Sequence, residues 1–236
     1  MTVIQMIGTK GGVGTSLLAV GLAQRLALRG PVLLVDGGRL VGTDDLLLDV
    51  VAERSWADLV RLAAELSARH IQAVAVGDHL GLRLVGAPSS PGPPISPAVI
   101  RALASQIDCL IVDGPPAAEA LAAGLPEACD RLLLIATPDP PALRGVTRVL
   151  AGLQPHVQQR AKLVLNQWSD AIPASPEALA SGCGLALLAT IPVADQAVFG
   201  QVQFGRIDGR ASAWSGAIDA LADRLAVPSE RQADGL

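Results

Sequence analysis

The run Gly8-Thr9-Lys10-Gly11-Gly12-Val13-Gly14-Thr15-Ser16 reads as a phosphate-binding loop, with Gly8 and Gly14 as its glycines and Ser16 as its hydroxyl. In the pattern G-x-x-x-x-G-K-[ST], backbone N–H groups cradle the phosphates, the lysine neutralises them and the hydroxyl holds Mg²⁺. Here Thr15 stands in the lysine's place, and the nearest lysine is Lys10, upstream in the same loop. Two unit charges 4 Å apart are worth about 4 kcal/mol at an effective dielectric of about 20, before desolvation. Phosphate affinity should therefore fall by orders of magnitude unless another cation replaces the missing one. Lys10 is the replacement on offer, folding back within its own chain or reaching the phosphates of a second copy. The alternative is a loop that has lost its ligand.

Three other polar residues close apolar runs. Asp36 ends Val32-Leu33-Leu34-Val35, Asp113 ends Cys109-Leu110-Ile111-Val112, and Asn166 ends Leu163-Val164-Leu165. Asp113 is suited to partner a magnesium ion held by Ser16, since Mg²⁺ takes one or two protein ligands and keeps several waters. Its other reading is a carboxylate capping the next turn. Asp36 reads equally as part of the metal shell or as a cap for its own loop.

The elements around these groups follow an α/β pattern. Val3–Ile7 suits a buried parallel strand, and Leu17 to Ala27 fill an apolar helical face that stops at Arg29-Gly30. Strand, glycine loop and helix are thus in the order phosphate binding needs, with N–H groups of Gly11 to Ser16 at the positive end of the helix. Apolar strand-like runs recur at 31–36, 82–85, 109–113, 132–136, 163–166 and 187–191 with helical segments between. The expected fold is a doubly wound, mostly parallel sheet with helices on both faces. Ser55 with Asp58 reads as a capping box opening a helix to about Arg69, residues 86–97 as a surface loop, Ser96-Pro97 as a helix start, and residues 211–226 as the last helix. In such a sheet ligands bind at the carboxyl ends of the strands. The glycine loop, Asp36, Asp113, Asn166 and Pro192 all fall there.

Composition narrows the function. With 236 residues, one domain with a sizeable core is expected. The chain is half hydrophobic, yet no long uncharged stretch reads as a membrane span. It starts on a core-strand pattern, so no secretory signal is expected. Cys109, Cys129 and Cys183 are odd in number and lack metal spacing, and read as buried thiols in a reducing compartment. The net charge is −4 with basic residues scattered singly, against a DNA-binding surface. Lys10 and Lys162 are the only lysines among 18 basic residues. In so arginine-biased a chain, a lysine in this loop suits the point-charge role that a planar guanidinium fills poorly.

At this point the residues match a family. Lys10-Gly-Gly-Val-Gly-Thr-Ser16 resembles the deviant Walker A motif of the ParA/MinD superfamily, whose hallmark is a lysine at the position of Lys10. Leu33-Leu34-Val35-Asp36 resembles the strand before switch I, and Ile111-Val112-Asp113-Gly-Pro-Pro116 the Walker B and switch II segment. Val164-Leu165-Asn166 resembles the strand whose asparagine reads adenine, and Ile191-Pro192-Val-Ala-Asp195 the segment covering the base. Within the superfamily the likeness is to the CpaE/TadZ branch of Flp/Tad pilus-assembly proteins, which tolerates a residue such as Thr15 and carries segments similar to 81–88, 137–144 and 189–192. A receiver-like domain, which many relatives carry, is not expected here.

The resemblance implies a single nucleotide-binding domain over residues 1–228 with a polar tail at 229–236. It implies ATP or ADP with Mg²⁺. Lys10, Gly11, Gly12, Val13, Gly14, Thr15, Ser16 and Leu17 would hold the phosphates, Asn166, Pro192 and Asp195 the base, and Ser16 and Asp113 the metal, with Lys10 and Asp36 as catalytic residues. The superfamily's second switch I aspartate, which orients the attacking water, falls on Gly38. Hydrolysis should therefore be slow or absent. Asp44 and Asp45 lie in the same loop but are displaced by several residues.

The expected function is a cytoplasmic, nucleotide-dependent homodimer, a switch or scaffold that positions pilus or secretion machinery and is recruited to a membrane face or cell pole through partners. A scaffold that dimerises without turnover is the alternative, as is a MinD- or ParA-like positioning protein. A basic amphipathic membrane helix is not seen at the C-terminal end, so direct membrane insertion is not expected.

Overall fold

The computed structural model describes residues 1–39, 42–77, 81–90, 92, 94–194 and 212–225. Eight strands form one sheet in the order β3-β4-β2-β5-β1-β6-β7-β8. They are β1 (Thr2–Gly8), β2 (Val32–Asp36), β3 (Val76–Gly77), β4 (Arg83–Val85), β5 (Cys109–Asp113), β6 (Arg131–Ala136), β7 (Ala161–Trp168) and β8 (Leu187–Pro192). Among them only β3 runs antiparallel, against β4. The doubly wound parallel fold is therefore the one adopted. Its central strands are apolar along their whole length, as burial on both faces requires, and Leu33, Leu34, Val35, Leu110 and Ile111 are fully buried.

β1 lies between β5 and β6. Its continuation into α1 (Thr15–Ala27) therefore leaves the sheet at its middle, where the strand order reverses. The register then does the placing. Met6 pairs with Asp113 and Asp36 pairs with Asp113, so the ends of β1, β2 and β5 stand side by side. Beyond β2 comes α2 (Asp44–Leu48), beyond β5 comes α5 (Ala117–Ala122), and beyond β6 comes α6 (Pro140–Gly152).

Two elements differ from expectation. The capping box of Ser55 and Asp58 forms, but it opens a 3₁₀ helix at Trp56–Leu62. A separate helix, α3 (Ala68–Val74), then starts at Ser67. The division has a local cause: Ser67 is extended (φ −126°, ψ 165°), and its N–H donates to His70 Nδ1 at 3.2 Å, which makes it a helix start rather than a helix interior. The two-residue β3 was not foreseen, being too short to show alternation. Among the described residues the other α-helices are α4 (Pro97–Ala104), α7 (Pro155–Gln158), α8 (Pro176–Gly182) and α9 (Ala213–Leu225), with a short 3₁₀ helix at Leu125–Ala128. The tail at 229–236 lies outside the described residues.

α9 seals the face of α1. Trp214 is 3 % exposed, and a Cβ on Gly21 of α1 would lie 2.6 Å from its ring. Glycine at 21 thus lets the indole approach the α1 backbone directly. Two ion pairs, Arg25 to Asp219 at 3.1 Å and Arg29 to Asp223 at 2.6 Å, flank the contact at the surface and add little. Trp214→Ala is expected to cost about 3–5 kcal/mol of unfolding free energy in urea titrations, and Gly21→Ala about 1–3 kcal/mol by overpacking.

Candidate functional site

The loop between β1 and α1 is held open from both sides. Gly12 and Gly14 have φ of 78° and 83°, in the left-handed region where a side chain is strained. Gly14 is also the N-cap of α1. It has no side chain to give, and no acidic residue sits in the first helical turn. The first N–H groups of α1, those of Thr15, Ser16 and Leu17, thus keep their positive end turned to the loop. Space above Gly11 and Gly12 is free of atoms within 4 Å of a built Cβ.

Counting back from Gly14, the first position of the glycine pattern falls on Thr9, not on Gly8 as first read. Gly8 closes β1 instead, and a Cβ there would meet Thr15 Oγ1 at 2.5 Å. Thr15 is therefore folded against the end of β1. Beneath the loop, Asn166 is buried and its amide donates to the Val13 carbonyl at 2.7 Å. Gln167, with φ of 56°, donates to the Gly12 carbonyl at 3.4 Å. On the far side a Cβ on Gly145 of α6 would collide with the Thr9 carbonyl, so α6 rests directly on the loop.

These elements enclose a cavity of about 780 Å³. It is lined by residues 8–17, by Asp113 to Ala118, and by Pro141, Gly145 and Arg148 of α6. The expected phosphate-holding residues, from Lys10 to Leu17, are all on its wall. Asn166 and Pro192 are not; Pro192 ends β8 opposite Trp168. Asp195 lies outside the described residues.

Lys10 points to its own chain, 3.5 Å from Asp139, the N-cap of α6. Burial is the largest single influence on Asp139 and works upward. The Thr137 hydroxyl, the Ala142 N–H and the Lys10 charge outweigh it and hold this carboxylate below its usual range. Both members of the pair are more than a third exposed, so the contact is worth at most about 1 kcal/mol. The other cation on the cavity wall is Arg148, which sequence reading passed over. Its signal was available: it lies one turn beyond Gly145, on the helix face that Gly145 turns to the loop.

Opposite the loop sits an acidic cluster. Ser16 Oγ donates to Asp113 Oδ2 at 2.6 Å. Asp36 accepts the N–H groups of Gly38, Thr43 and Asp44 at 2.9, 3.0 and 3.3 Å, so it caps its own loop. It also stands with Asp44 and Asp113, one oxygen of each lying within 4.8 Å of the others. The loop-capping reading of Asp36 is thus realised, and its place in the cluster is compatible with the metal-shell reading. Gly38 brings only its backbone N–H to this place. Asp44, which its position in the sequence made a distant prospect, is fully buried beside Asp36 and Asp113.

Burial, with the Asp36 charge adding to it, pushes Asp113 up to about 7 against the Ser16 hydrogen bond. Burial also raises Asp36, against its three N–H donors. Asp44 is raised well above the usual range by burial and then by repulsion from Asp113, Asp36 and Asp45. The donor set, carboxylates and one hydroxyl, is all oxygen and fits a hard divalent cation such as Mg²⁺. Asp113 Oδ1 and both oxygens of Asp44 are buried with no hydrogen-bond partner. The residues present therefore fit the metal. The three cysteines are free, and burial raises all of their thiols, Cys109 to about 11 and Cys129 to about 12, which leaves them unreactive.

No protein-family model and no curated protein matches this chain. Solved structures do match, over nearly its whole length. A ParA family ATPase from Chlorobium tepidum shares 22% identity, with 95% of this chain and 98% of that chain covered, at a TM-score of 0.81. The septum site-determining protein MinD of Pyrococcus horikoshii, solved with Mg-ADP, shares 22% identity over 99% of each chain at 0.79. A MinC:MinD cell division complex of Aquifex aeolicus shares 22% identity, covering 98% of this chain and 99% of that one, at 0.78. The fold is thus that of P-loop ATPases of the ParA/MinD type.

The raised carboxylates set a pH dependence. Each folded-state value lies above the unfolded one, so their contribution to stability is complete below about pH 4 and is lost as pH rises through the raised values, that of Asp113 lying at about 7. Thermal melts of metal-free, nucleotide-free protein from about pH 5.5 to about 8 should show a falling midpoint, and Mg²⁺ should restore more stability at the alkaline end. A flat profile would mean that the cluster is solvated and carries no burial cost.

Proposed function

We propose that this chain is an ATP-binding dimeric switch or scaffold with weak or absent ATPase activity, one that positions pilus-assembly or secretion machinery in the manner of the CpaE/TadZ proteins. The observation that carries the nucleotide reading is the Ser16–Asp113 hydrogen bond at 2.6 Å, set at the rim of an uncapped helix start and a 780 Å³ cavity. Ser16 and Asp113, so joined, would hold Mg²⁺, which would offset the charge of the phosphates.

Lys10 supplies the cation that Thr15 lacks. Its contact with Asp139 is worth at most about 1 kcal/mol, and a triphosphate sets several negative charges against the one of Asp139. Phosphate therefore wins, and the side chain leaves Asp139 for nucleotide in its own chain or in a second copy. In the second case ATP holds two subunits together, because both contact its phosphates. Arg148, on the same wall, contributes a further positive charge. Asn166, Pro192 and Asp195 would hold the base. Solved neighbours of the same fold include a MinD in complex with MinC, which supports a partner-protein role of this general kind.

The weak-hydrolysis reading rests on Gly38. Its N–H is engaged by Asp36 Oδ1 at 2.9 Å and it has no side chain with which to orient water. The same observation favours the second reading, a scaffold that dimerises and does not turn over. No helix among the described residues is long and apolar enough to cross a membrane, so recruitment to a membrane face or pole would run through partners.

Titration with ATP and Mg²⁺, with light scattering to follow mass, tests the proposal. ATP should convert monomer to dimer, and Lys10→Ala should weaken ATP binding by at least about tenfold and abolish the dimer. Arg148→Ala should weaken binding by a smaller factor, about threefold to tenfold, because its guanidinium is exposed. A purified chain that ignores nucleotide removes the switch and leaves the scaffold. Cells that remain fully piliated when Lys10→Ala replaces the natural chain remove the pilus role.

A further inference from the structure

We infer that Asp44, with Asp36 and Asp113, forms a divalent-cation site that fills without nucleotide. Asp44 is fully buried, neither of its carboxylate oxygens has a hydrogen-bond partner, and both the Asp36 and Asp113 carboxylates lie within 4.8 Å of it. Asp113 Oδ1 is unpartnered in the same way. Three oxygens from two side chains are thus removed from water with no donor to meet them. A buried carboxylate without partners is among the least favourable arrangements a core can hold, and the usual remedies are protonation, a donor or a metal ion. Among the described residues the only side-chain donor within the group is the Ser16 hydroxyl, already given to Asp113 Oδ2.

The backbone shows that the position is built rather than incidental. The N–H groups of Thr43 and Asp44 both donate to Asp36 Oδ2, which draws the start of α2 over the end of β2. A Cβ on Gly42 would collide with the Asp36 carboxylate, so glycine at 42 is what lets this loop close. That closure carries Asp44 inward, while Asp45 stays half-exposed and Leu46 is 62% exposed. In α2 the polar Asp44 is turned in together with Leu47 and Leu48, while the apolar Leu46 is turned out. Hydrophobic burial would have chosen the reverse, and a ligand for Asp44 accounts for the choice. An all-oxygen set with three carboxylates suits Mg²⁺ or Mn²⁺ over softer ions.

The site shares Ser16 and Asp113 with the proposed nucleotide pocket, but its test contains no nucleotide, so the two fail separately. Loss of the free Mn²⁺ signal in electron paramagnetic resonance, read on nucleotide-free protein, should report one bound ion per chain that Mg²⁺ displaces. Asp44→Asn should weaken Mn²⁺ by at least about tenfold, a loss typical of an altered metal site, while Asp45→Asn stays within about twofold of the unaltered chain. In metal-free buffer Asp44→Asn should melt no lower than the unaltered chain, because the carboxylate it replaces has no hydrogen-bond partner to lose, and should gain less from Mg²⁺. The unaltered chain gives a second measurement: Mg²⁺ should raise its melting midpoint where Na⁺ at equal ionic strength does not. Absence of Mn²⁺ binding without nucleotide, equal binding by Asp44→Asn, or equal responses to Mg²⁺ and Na⁺ would each overturn the inference.

Discussion

Asp36 and Asp113 occupy paired register positions at the ends of two adjacent parallel strands, and neighbouring strands run about 4.8 Å apart. The β2–β5 ladder therefore sets two carboxylates side by side before any ligand enters, and moving either would break a strand pairing in the middle of the sheet. Everything else at this end of the molecule answers that constraint. Three backbone N–H groups turn to Asp36, the Ser16 hydroxyl turns to Asp113, and the loop after β2 folds tightly enough to bring them there. Backbone rigidity is what makes the arrangement last, because side chains held at strand ends cannot relax apart as they could on loops.

The phosphate side of the site obeys a different balance. Its positive character comes from the start of α1 and from two exposed cations, Lys10 and Arg148, none of which is committed strongly elsewhere. A buried acidic cluster thus adjoins a solvent-accessible basic one, with Asp113 on the cavity wall. A metal ion favours the first and phosphate the second, so a metal–nucleotide pair satisfies both at once, whereas either alone satisfies one.

Much of this was legible in the sequence, for physical reasons that differ by element. β1, β2, β5, β6 and β7 were visible because a strand buried on both faces reads as an unbroken apolar run. The loop from Lys10 to Leu17 was visible because its glycines meet a steric demand that few residues can meet. Asp113 was visible because a carboxylate ending such a run has few structural uses. The break between the 3₁₀ helix at 56–62 and α3 was not, since Ser67 is a modest helix former until His70 caps it. Gly8 was misread by one position, because neighbouring glycines and threonines allow two alignments of one loose pattern. Asp44 was underweighted for a deeper reason: position along the chain says how far a side chain lies from Asp36, not how tightly Gly42 lets the loop return. Arg148, Asp139 and Gln167 belong to the site by tertiary approach alone.

The contact of Gly145 with the Thr9 carbonyl makes α6 a lever. No side chain cushions the two backbones, so a shift of the loop by a fraction of an ångström is passed on undamped to a helix of four turns. The outer surface of that helix, where Arg144 and Thr147 face water, is where such a shift would reach the outside of the molecule.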